Sequence, residues 1–184
     1  MRVISGSAGG ITLKLPKTDL RPTMDLVRGA IFSSLGVGIE HASVLDLFAG
    51  TGSIAIEALS RGAASATLVE ADRKACAIIT ENLARTRLQA RIECNDVFRF
   101  LESKLAQVPF DFVFADPPYS KKIGDRDFAG ELLRSPKLPP LLSSGGTFIL
   151  EVAQNWAFPE GTGWECLRRK RYGSTETLFL TRSA

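Results

Sequence analysis

Ser43-Val44-Leu45-Asp46-Leu47-Phe48-Ala49-Gly50-Thr51-Gly52-Ser53 is the stretch that decides the fold. Residues 43–47 are a compact apolar run that carries an acid, the pattern of a buried strand. Gly50 and Gly52 allow a tight strand-to-helix turn and let a ligand come close to the main chain. A helix from about Ser53 follows, with Ile54, Ala55, Ala58 and Leu59 inward, and Gly62 stops it.

The same unit repeats downstream. Strands are predicted at 66–70, 91–94 and 110–115, with helices at 72–86 and 97–105 between them. Ala75, Ile78, Ile79 and Leu83 form one helix face; Phe98, Leu101 and Leu105 form the other. Asp46, Glu70, Asp96 and Asp116 stand at or just past the strand ends, 24, 26 and 20 residues apart. Successive strand–helix units produce such even spacing. Helical crossovers make the strands parallel, and right-handed crossovers bring all four ends to one edge. Open α/β sheets bind their ligands at that edge. The predicted class is therefore α/β, with a Rossmann-like, mostly parallel central sheet.

Beyond Tyr119 the pattern loosens. A loop at 135–140, a Gly145-Gly146 turn and a fifth strand at 147–152 precede an antiparallel hairpin, 164–171 with 175–181. Upstream, residues 1–20 read as a small β-hairpin around Gly6–Gly10. Arg21-Pro22-Thr23 then opens a helix with Thr23 as N-cap and Asp25 in its first turn. Met24, Val27, Ile31 and Leu35 share its face, and Gly36 ends it. Two units are expected: an extension over 1–40 and the sheet domain over 41–184.

The 184 residues are 45% hydrophobic and 23% charged, which is ample for one well-buried core. No run approaches the roughly 18 apolar residues of a membrane span, and residues 1–6 carry no apolar signal core. The three cysteines, Cys76, Cys94 and Cys166, suit a reducing compartment. A single histidine, His41, and no Cys-x-x-Cys pair give no basis for a metal site. These features predict a cytoplasmic protein that uses no metal; a monomer is the expected form, though none of them bears on it.

The glycine turn, with Glu70 ending the next strand, suits an adenosine-like ligand. A carboxylate there can accept hydrogen bonds from both ribose hydroxyls. Gly50-x-Gly52-x-x-Ala55 also satisfies the dinucleotide pattern, so NAD stays open. Two features favour S-adenosylmethionine, which carries an ammonium and a sulfonium. Asp46 would face a pyrophosphate badly but pairs with a cation, and the chain is too short for a separate hydride-transfer substrate domain.

Asp116-Pro117-Pro118-Tyr119 is the sharpest signal, arising by chance in such a chain about once in a thousand. The prolines stiffen the corner and remove two N–H donors. The Asp116 carboxylate and the Pro117 carbonyl are then left as acceptors for an incoming amine, and Tyr119 offers a face for stacking a base. A nucleobase amine is a poor nucleophile because its lone pair is delocalised. Two accepted hydrogen bonds favour a pyramidal nitrogen and aim it at a methyl donor, so orientation and electrostatics carry the chemistry.

These residues resemble the class I S-adenosylmethionine-dependent N-methyltransferases. Met1-Arg2-Val3-Ile4-Ser5-Gly6, Arg21-Pro22-Thr23, Leu45 to Gly52, Glu57-Ala58-Leu59-Ser60-Arg61-Gly62-Ala63 and the proline corner together resemble the RsmD-type guanine-N2 methyltransferases of small-subunit ribosomal RNA, over residues 1 to about 180. The resemblance implies that Asp46, Phe48, Ala49, Gly50, Thr51, Gly52, Glu70, Ala71, Asp96 and Val97 line the cofactor pocket, with Asp96 on the adenine amine. It implies that Asp116, Pro117, Pro118 and Tyr119 hold a flipped guanine, and that residues 1–40 bind RNA and cover the cofactor. One departure stands out. The family hairpin carries basic residues where this chain reads Gly6-Ser7-Ala8-Gly9-Gly10-Ile11-Thr12-Leu13. Alternatives are a DNA adenine or cytosine amino-methyltransferase, a non-catalytic RNA-binding assembly factor and an NAD oxidoreductase.

Lys and Arg total 23 against 20 acids, a net charge of +3, so composition alone does not mark a nucleic-acid binder. The distribution is more informative, with a basic stretch at 73–91 and an unbroken run at 168–171. Arg2, Lys14, Arg21, Lys121, Arg168, Arg169 and Arg171 are the expected RNA contacts. RNA affinity is therefore expected to fall about tenfold or more between 50 and 200 mM salt. Filter binding across that range measures it, and a flat profile removes these cations from the interface.

Overall fold

The computed structural model describes residues 1–16, 23–103, 109–119 and 124–183. The Arg21-Pro22 approach, the side chains of Thr23 and Met24, Leu105 and Lys121 lie outside the described residues.

Strands β1 (Ser43–Leu47), β2 (Ser65–Glu70), β3 (Arg91–Cys94), β4 (Phe110–Ala115), β5 (Leu142–Ala153), β6 (Trp164–Tyr172) and β7 (Thr175–Arg182) form one sheet in the order β3-β2-β1-β4-β5-β7-β6. β1 to β5 pair in parallel; β7 runs antiparallel between β5 and β6. Helices are α1 (Thr23–Leu35), α2 (Ser53–Ser60), α3 (Arg73–Thr86), α4 (Val97–Leu101) and α5 (Phe128–Arg134). The chain builds outward from β1 to β3, then returns to lay β4 on the other side of β1. The crevice at that reversal lies between β1 and β4, where Leu47 pairs with Ala115.

Both faces of the sheet are covered, which explains the nearly continuous apolar strands. Alternate residues go to opposite faces. Val44, Phe114, Ile149 and Phe179 join Val27, Ile31 and Phe32 of α1, with Ala55, Ile56 and Ile79 from α2 and α3. Leu45, Leu47, Val113, Phe148 and Leu150 join Phe100 and Leu101 of α4, with Leu132 and Leu133 of α5. No helix among the described residues is long and apolar enough to cross a membrane.

Three expectations are corrected. Gly145-Gly146 is not a turn before the fifth strand but lies inside β5. From Leu142 to Thr147 β5 advances five positions while β4 advances two, from Phe110 to Phe112, and the excess is absorbed by a bulge with Gly145 at φ +77°. The helix expected over 97–105 is α4 and ends at Leu101. The stretch after Tyr119 contains α5, whose N-cap Asp127 accepts from Gly130 N–H at 3.1 Å and from Trp156 Nε1–H at 3.2 Å.

The N-terminal segment pairs with itself at Arg2 and Thr12, but its main attachment is to α2. Ser7 N–H donates to Ser60 O at 2.7 Å, and Ala8 N–H to Ser60 Oγ at 2.9 Å. Gly6 sits at φ +84°, and a Cβ there would fall 1.7 Å from Ser60 O, so only glycine fits. Fully buried Glu57 accepts from Ile4 N–H at 2.7 Å, Ser5 N–H at 3.1 Å and Arg61 Nε–H at 2.7 Å. Arg28, also buried, lies 3.6 Å from Glu57 and donates to Arg2 O at 2.6 Å. Val3, Ala8 and Leu13 thereby enter the same core cluster as Val44.

Replacing Glu57 by Gln puts an N–H2 where only acceptors are useful and removes the buried one of the two carboxylates beside Arg28, leaving Asp25. Urea unfolding of Glu57→Gln is expected to show a loss of about 3 kcal/mol. A change under about 0.5 kcal/mol, the size expected of an ordinary surface substitution, contradicts this account of the arm.

Candidate active site

The turn after β1 is held open by three left-handed residues: Phe48 at φ +63°, Gly50 at +56° and Gly52 at +77°. The two glycines differ in purpose. A Cβ on Gly52 would press on Leu68 at 3.0 Å and Ile79 at 3.3 Å, so that glycine lets α2 approach β2 and α3. A Cβ on Gly50 would meet nothing within 4 Å and would project into open space. That space opens into a cleft of about 200 Å³. Asp46, Phe48, Ala49, Gly50, Thr51 and Asp116 line it, as sequence reasoning expects, together with Met1, Leu15, Pro16, Ile31, Glu151 and Thr177.

Acids crowd the head of this cleft. Asp46 is buried, and its Oδ2 accepts one long hydrogen bond from Ala55 N–H at 3.3 Å. Burial, with Asp116 and Glu70 nearby, pushes its carboxyl up to about 7. Glu70 accepts from Gly50 N–H and Asp72 N–H, both at 2.8 Å. It thereby braces the turn, and each oxygen keeps capacity for a ligand hydroxyl. Asp96 is the N-cap of α4, its Oδ1 accepting from Phe98 N–H at 3.0 Å and Arg99 N–H at 3.1 Å. Beside it Val97 is buried, whereas Ala71 is exposed on the turn between β2 and α3. Glu70, Ala71, Asp96 and Val97 are thus at the expected strand ends but do not line the cleft itself.

Asp116 follows β4 directly, opposite the glycine turn across the crevice. The Tyr119 hydroxyl lies 3.2 Å from Asp116 Oδ1 and donates to Glu151 Oε1 at 2.7 Å. Burial and the two carboxyl groups push the phenol far up, so it stays neutral. Sequence reasoning assigns Tyr119 only a stacking face; its hydroxyl is in fact a clasp joining two acids.

Several residues escaped the sequence reading. Glu151 lies on β5, and the strand-end acid rule applied to the first four strands could have found it. Asn82, buried on α3, donates to Thr51 O at 3.0 Å and Lys14 O at 3.1 Å and accepts from Lys14 N–H at 2.7 Å. It ties the glycine turn to the N-terminal arm, and its only sequence signal is an amide on an apolar helix stripe. Phe48 meets Phe128 edge-on at 5.8 Å, and Arg126 lies over Phe128 and Phe98 at 4.5 and 4.6 Å.

The expected RNA contacts are scattered. Lys14 pairs with Glu81 at 2.7 Å and Arg169 with Glu176 at 2.9 Å. Arg171 reaches Gly173 O, Arg168 lies over Phe179 at 5.7 Å, and Arg2 is exposed on the arm. Leu167 is an extra residue between Cys166 and Arg168 in the pairing with β7. Arg168 and Lys170 therefore turn to the α1 side, where Lys170 Nζ donates to Ser34 Oγ at 2.6 Å, while Arg169 reaches Trp156 O on the other. Exposed ion pairs are worth about 0–1 kcal/mol, so phosphate can recruit such cations cheaply. Cys76 and Cys94, far apart in sequence, come into contact as free thiols. Among the described residues no cluster of His, Cys, Asp and Glu could hold a metal.

An open parallel sheet reversing beside a glycine turn, with acids at the reversal, is the Rossmann-like α/β fold of methyltransferases. The same fold is seen in a solved structure titled as a putative methyltransferase yhhF from Escherichia coli, with a TM-score of 0.81 and 32% identity over 100% of this chain and 98% of that one. The family described as conserved hypothetical protein 95 matches residues 1–181, and the chain belongs to it. The chain is 36% identical to the putative rRNA methyltransferase YlbH of Bacillus subtilis over 95% of each protein. It is 41% identical to ribosomal RNA small subunit methyltransferase D of Escherichia coli, in an alignment spanning 66% of this chain and 61% of that protein.

The Asp46 shift has a consequence for stability. The folded state holds this proton up to about pH 7, whereas an unfolded Asp releases it near pH 3.9. Without ligand, stability is therefore full below about pH 4 and falls as pH rises to 7, by a few kcal/mol. Urea melts at pH 5 and pH 8 are expected to show this loss, and Asp46→Asn to reduce it. An Asn variant with the same pH dependence as the parent removes Asp46 as the source.

Proposed function

We propose that this chain transfers a methyl group from S-adenosylmethionine to the exocyclic N2 amine of a guanine in small-subunit ribosomal RNA. The observation that carries the reading is the meeting of Asp116 with Asp46 and Gly50 around one cleft. It is supported by the ribosomal RNA methyltransferases among its relatives.

The residues fit the cofactor. A buried acid with a raised pKa gains from a cation, and the open space over Gly50 takes a ligand against the backbone. Bound there, S-adenosylmethionine supplies an electrophilic methyl on a positively charged sulfur. Asp46 and its acidic neighbours hold the positive charge of this ligand, and Glu70 receives ribose hydroxyls. Asp96 takes the adenine amine beside Val97.

At the other wall, Asp116 and the Pro117 carbonyl accept the two amine hydrogens of the base. Pro117 and Pro118 keep that corner from yielding as the base is drawn in. The N2–methyl bond forms as the methyl–sulfur bond breaks, and the departing N2 proton passes to the Asp116 carboxylate. No covalent enzyme intermediate and no metal are needed. Residues 1–40 act as lid and RNA-binding extension, since Met1, Leu15 and Pro16 already form part of the cleft wall. The working form is a cytoplasmic monomer acting on assembling 30S particles, with Arg2, Lys14, Arg21, Lys121, Arg168, Arg169 and Arg171 on the phosphates.

Asp116→Ala is expected to lower kcat on small subunits from a strain lacking the protein at least about 100-fold. Calorimetry is expected to show S-adenosylhomocysteine affinity within about tenfold of wild type, because the interaction lost serves the other substrate. Unchanged methyl transfer by this variant overturns the assignment. Labelling of naked duplex DNA in place of the subunits assigns the chain to DNA.

A further inference from the structure

Two side chains in the cleft have no role in the chemistry described so far, and they face each other. Glu151 on β5 and Thr177 on β7 are partners in antiparallel register. They therefore share one face of the sheet, about 5 Å apart at Cβ. Both line the cleft, on the wall that carries Asp116. Thr177 is fully buried, and its Oγ1 is without a hydrogen-bond partner among the described residues. A buried hydroxyl left unpaired costs about 1–3 kcal/mol, so its presence in a ligand cleft points to a partner that arrives with the ligand.

Glu151 supplies the complementary group. The same Tyr119 hydroxyl contacts Asp116 Oδ1 and Glu151 Oε1, so the two carboxyl groups are one shared hydroxyl apart. A carboxylate has about four acceptor sites, so Glu151 can serve more than one donor, the Tyr119 hydroxyl among them. A base whose amine is held by Asp116 therefore presents the neighbouring part of its hydrogen-bonding edge to Glu151 and Thr177.

Nucleobases differ at that edge. In guanine the atom beside the N2 amine is N1–H, a donor, and O6, an acceptor, lies beyond it. In adenine and cytosine the ring nitrogen beside the amine is an acceptor. A carboxylate placed there attracts guanine and repels the other two, because two acceptors then meet without a proton between them.

We propose that Glu151 and Thr177 read the base, Glu151 accepting N1–H and the Thr177 hydroxyl donating to O6, so that the site selects guanine. This rests on the function proposed above and gives its choice of base a physical cause. Glu151 and Thr177 are specificity residues, Tyr119 positions the Glu151 carboxylate, and Asp116 keeps the chemistry.

The test uses an analogue that retains the amine and loses the edge. 2-Aminopurine has the same exocyclic amine at C2, but its N1 is an acceptor and it lacks O6. The full-length enzyme is given small subunits reconstituted with guanine or 2-aminopurine at the methylated position, found first by mass mapping. The guanine preference is the ratio of the two kcat/KM values. Comparing this ratio between enzymes cancels the intrinsic nucleophilicity of each amine.

Glu151→Gln, which keeps the shape and adds a donor, is expected to reduce the guanine preference at least about tenfold. Most of the change is a loss on guanine, while 2-aminopurine is held or improved. Thr177→Val is expected to reduce it about threefold and to melt no lower than wild type, since it removes a buried unpaired hydroxyl. If Glu151→Gln loses the same factor on both bases, Glu151 only props Tyr119 and the proposal fails. It also fails if the wild type methylates 2-aminopurine as readily as guanine. A wild-type enzyme inert on guanine-bearing subunits overturns the proposed function itself, and this inference with it.

Discussion

A carboxylate removed from water beside two others is the constraint around which this molecule is organised. Asp46 is buried at the reversal of the sheet, with Glu70 and Asp116 adding to the cost of its charge. A hydrophobic residue there would make the sheet more stable, and one long hydrogen bond from Ala55 does not offset the desolvation. The arrangement suits a site that receives positive charge. The rest of the fold holds these acids at a common edge and keeps the opening above them the right shape. Strain at Phe48, a non-glycine residue at positive φ, sits in the same turn.

The N-terminal arm shows how the site is completed. Its backbone N–H groups run to Glu57 and Ser60 on the helix that begins at the glycine turn. Asn82 links the arm to Thr51 of that turn. The arm is thus fastened at two places to the elements that shape the cleft, and Met1, Leu15 and Pro16 close one side of it. Such fastening through buried polar groups holds up only when every partner is present, which makes this region rigid and sensitive to substitution.

The basic residues follow a different logic. The unbroken run at 168–171 looks like one patch in sequence, but the bulge at Leu167 decides which of its members faces α1. Most have acidic or carbonyl partners on the surface, where ion pairs contribute little. Linear charge density is therefore a poor guide to the surface that RNA would meet.

The order of strands and helices through β4, the glycine turn, and the acids at Asp46, Glu70 and Asp116 were legible in the sequence because each is local. A strand's apolar run, a helix's periodicity and a glycine at a tight turn each depend on neighbours a few residues away. Asp116-Pro117-Pro118-Tyr119 was legible for the same reason, since its rigidity is built into consecutive residues. The Gly145-Gly146 bulge, the Tyr119 clasp, Asn82 and the pairing of Glu151 with Thr177 were not. Each depends on segments 26 or more residues apart meeting across the sheet or between helices. Local pattern alone thus determined the class of fold and the stiffness of the proline corner. Only the tertiary structure decided which acids share a cleft and which hydroxyl beside it is buried without a partner among the described residues, because register and burial arise from the packing of the whole chain.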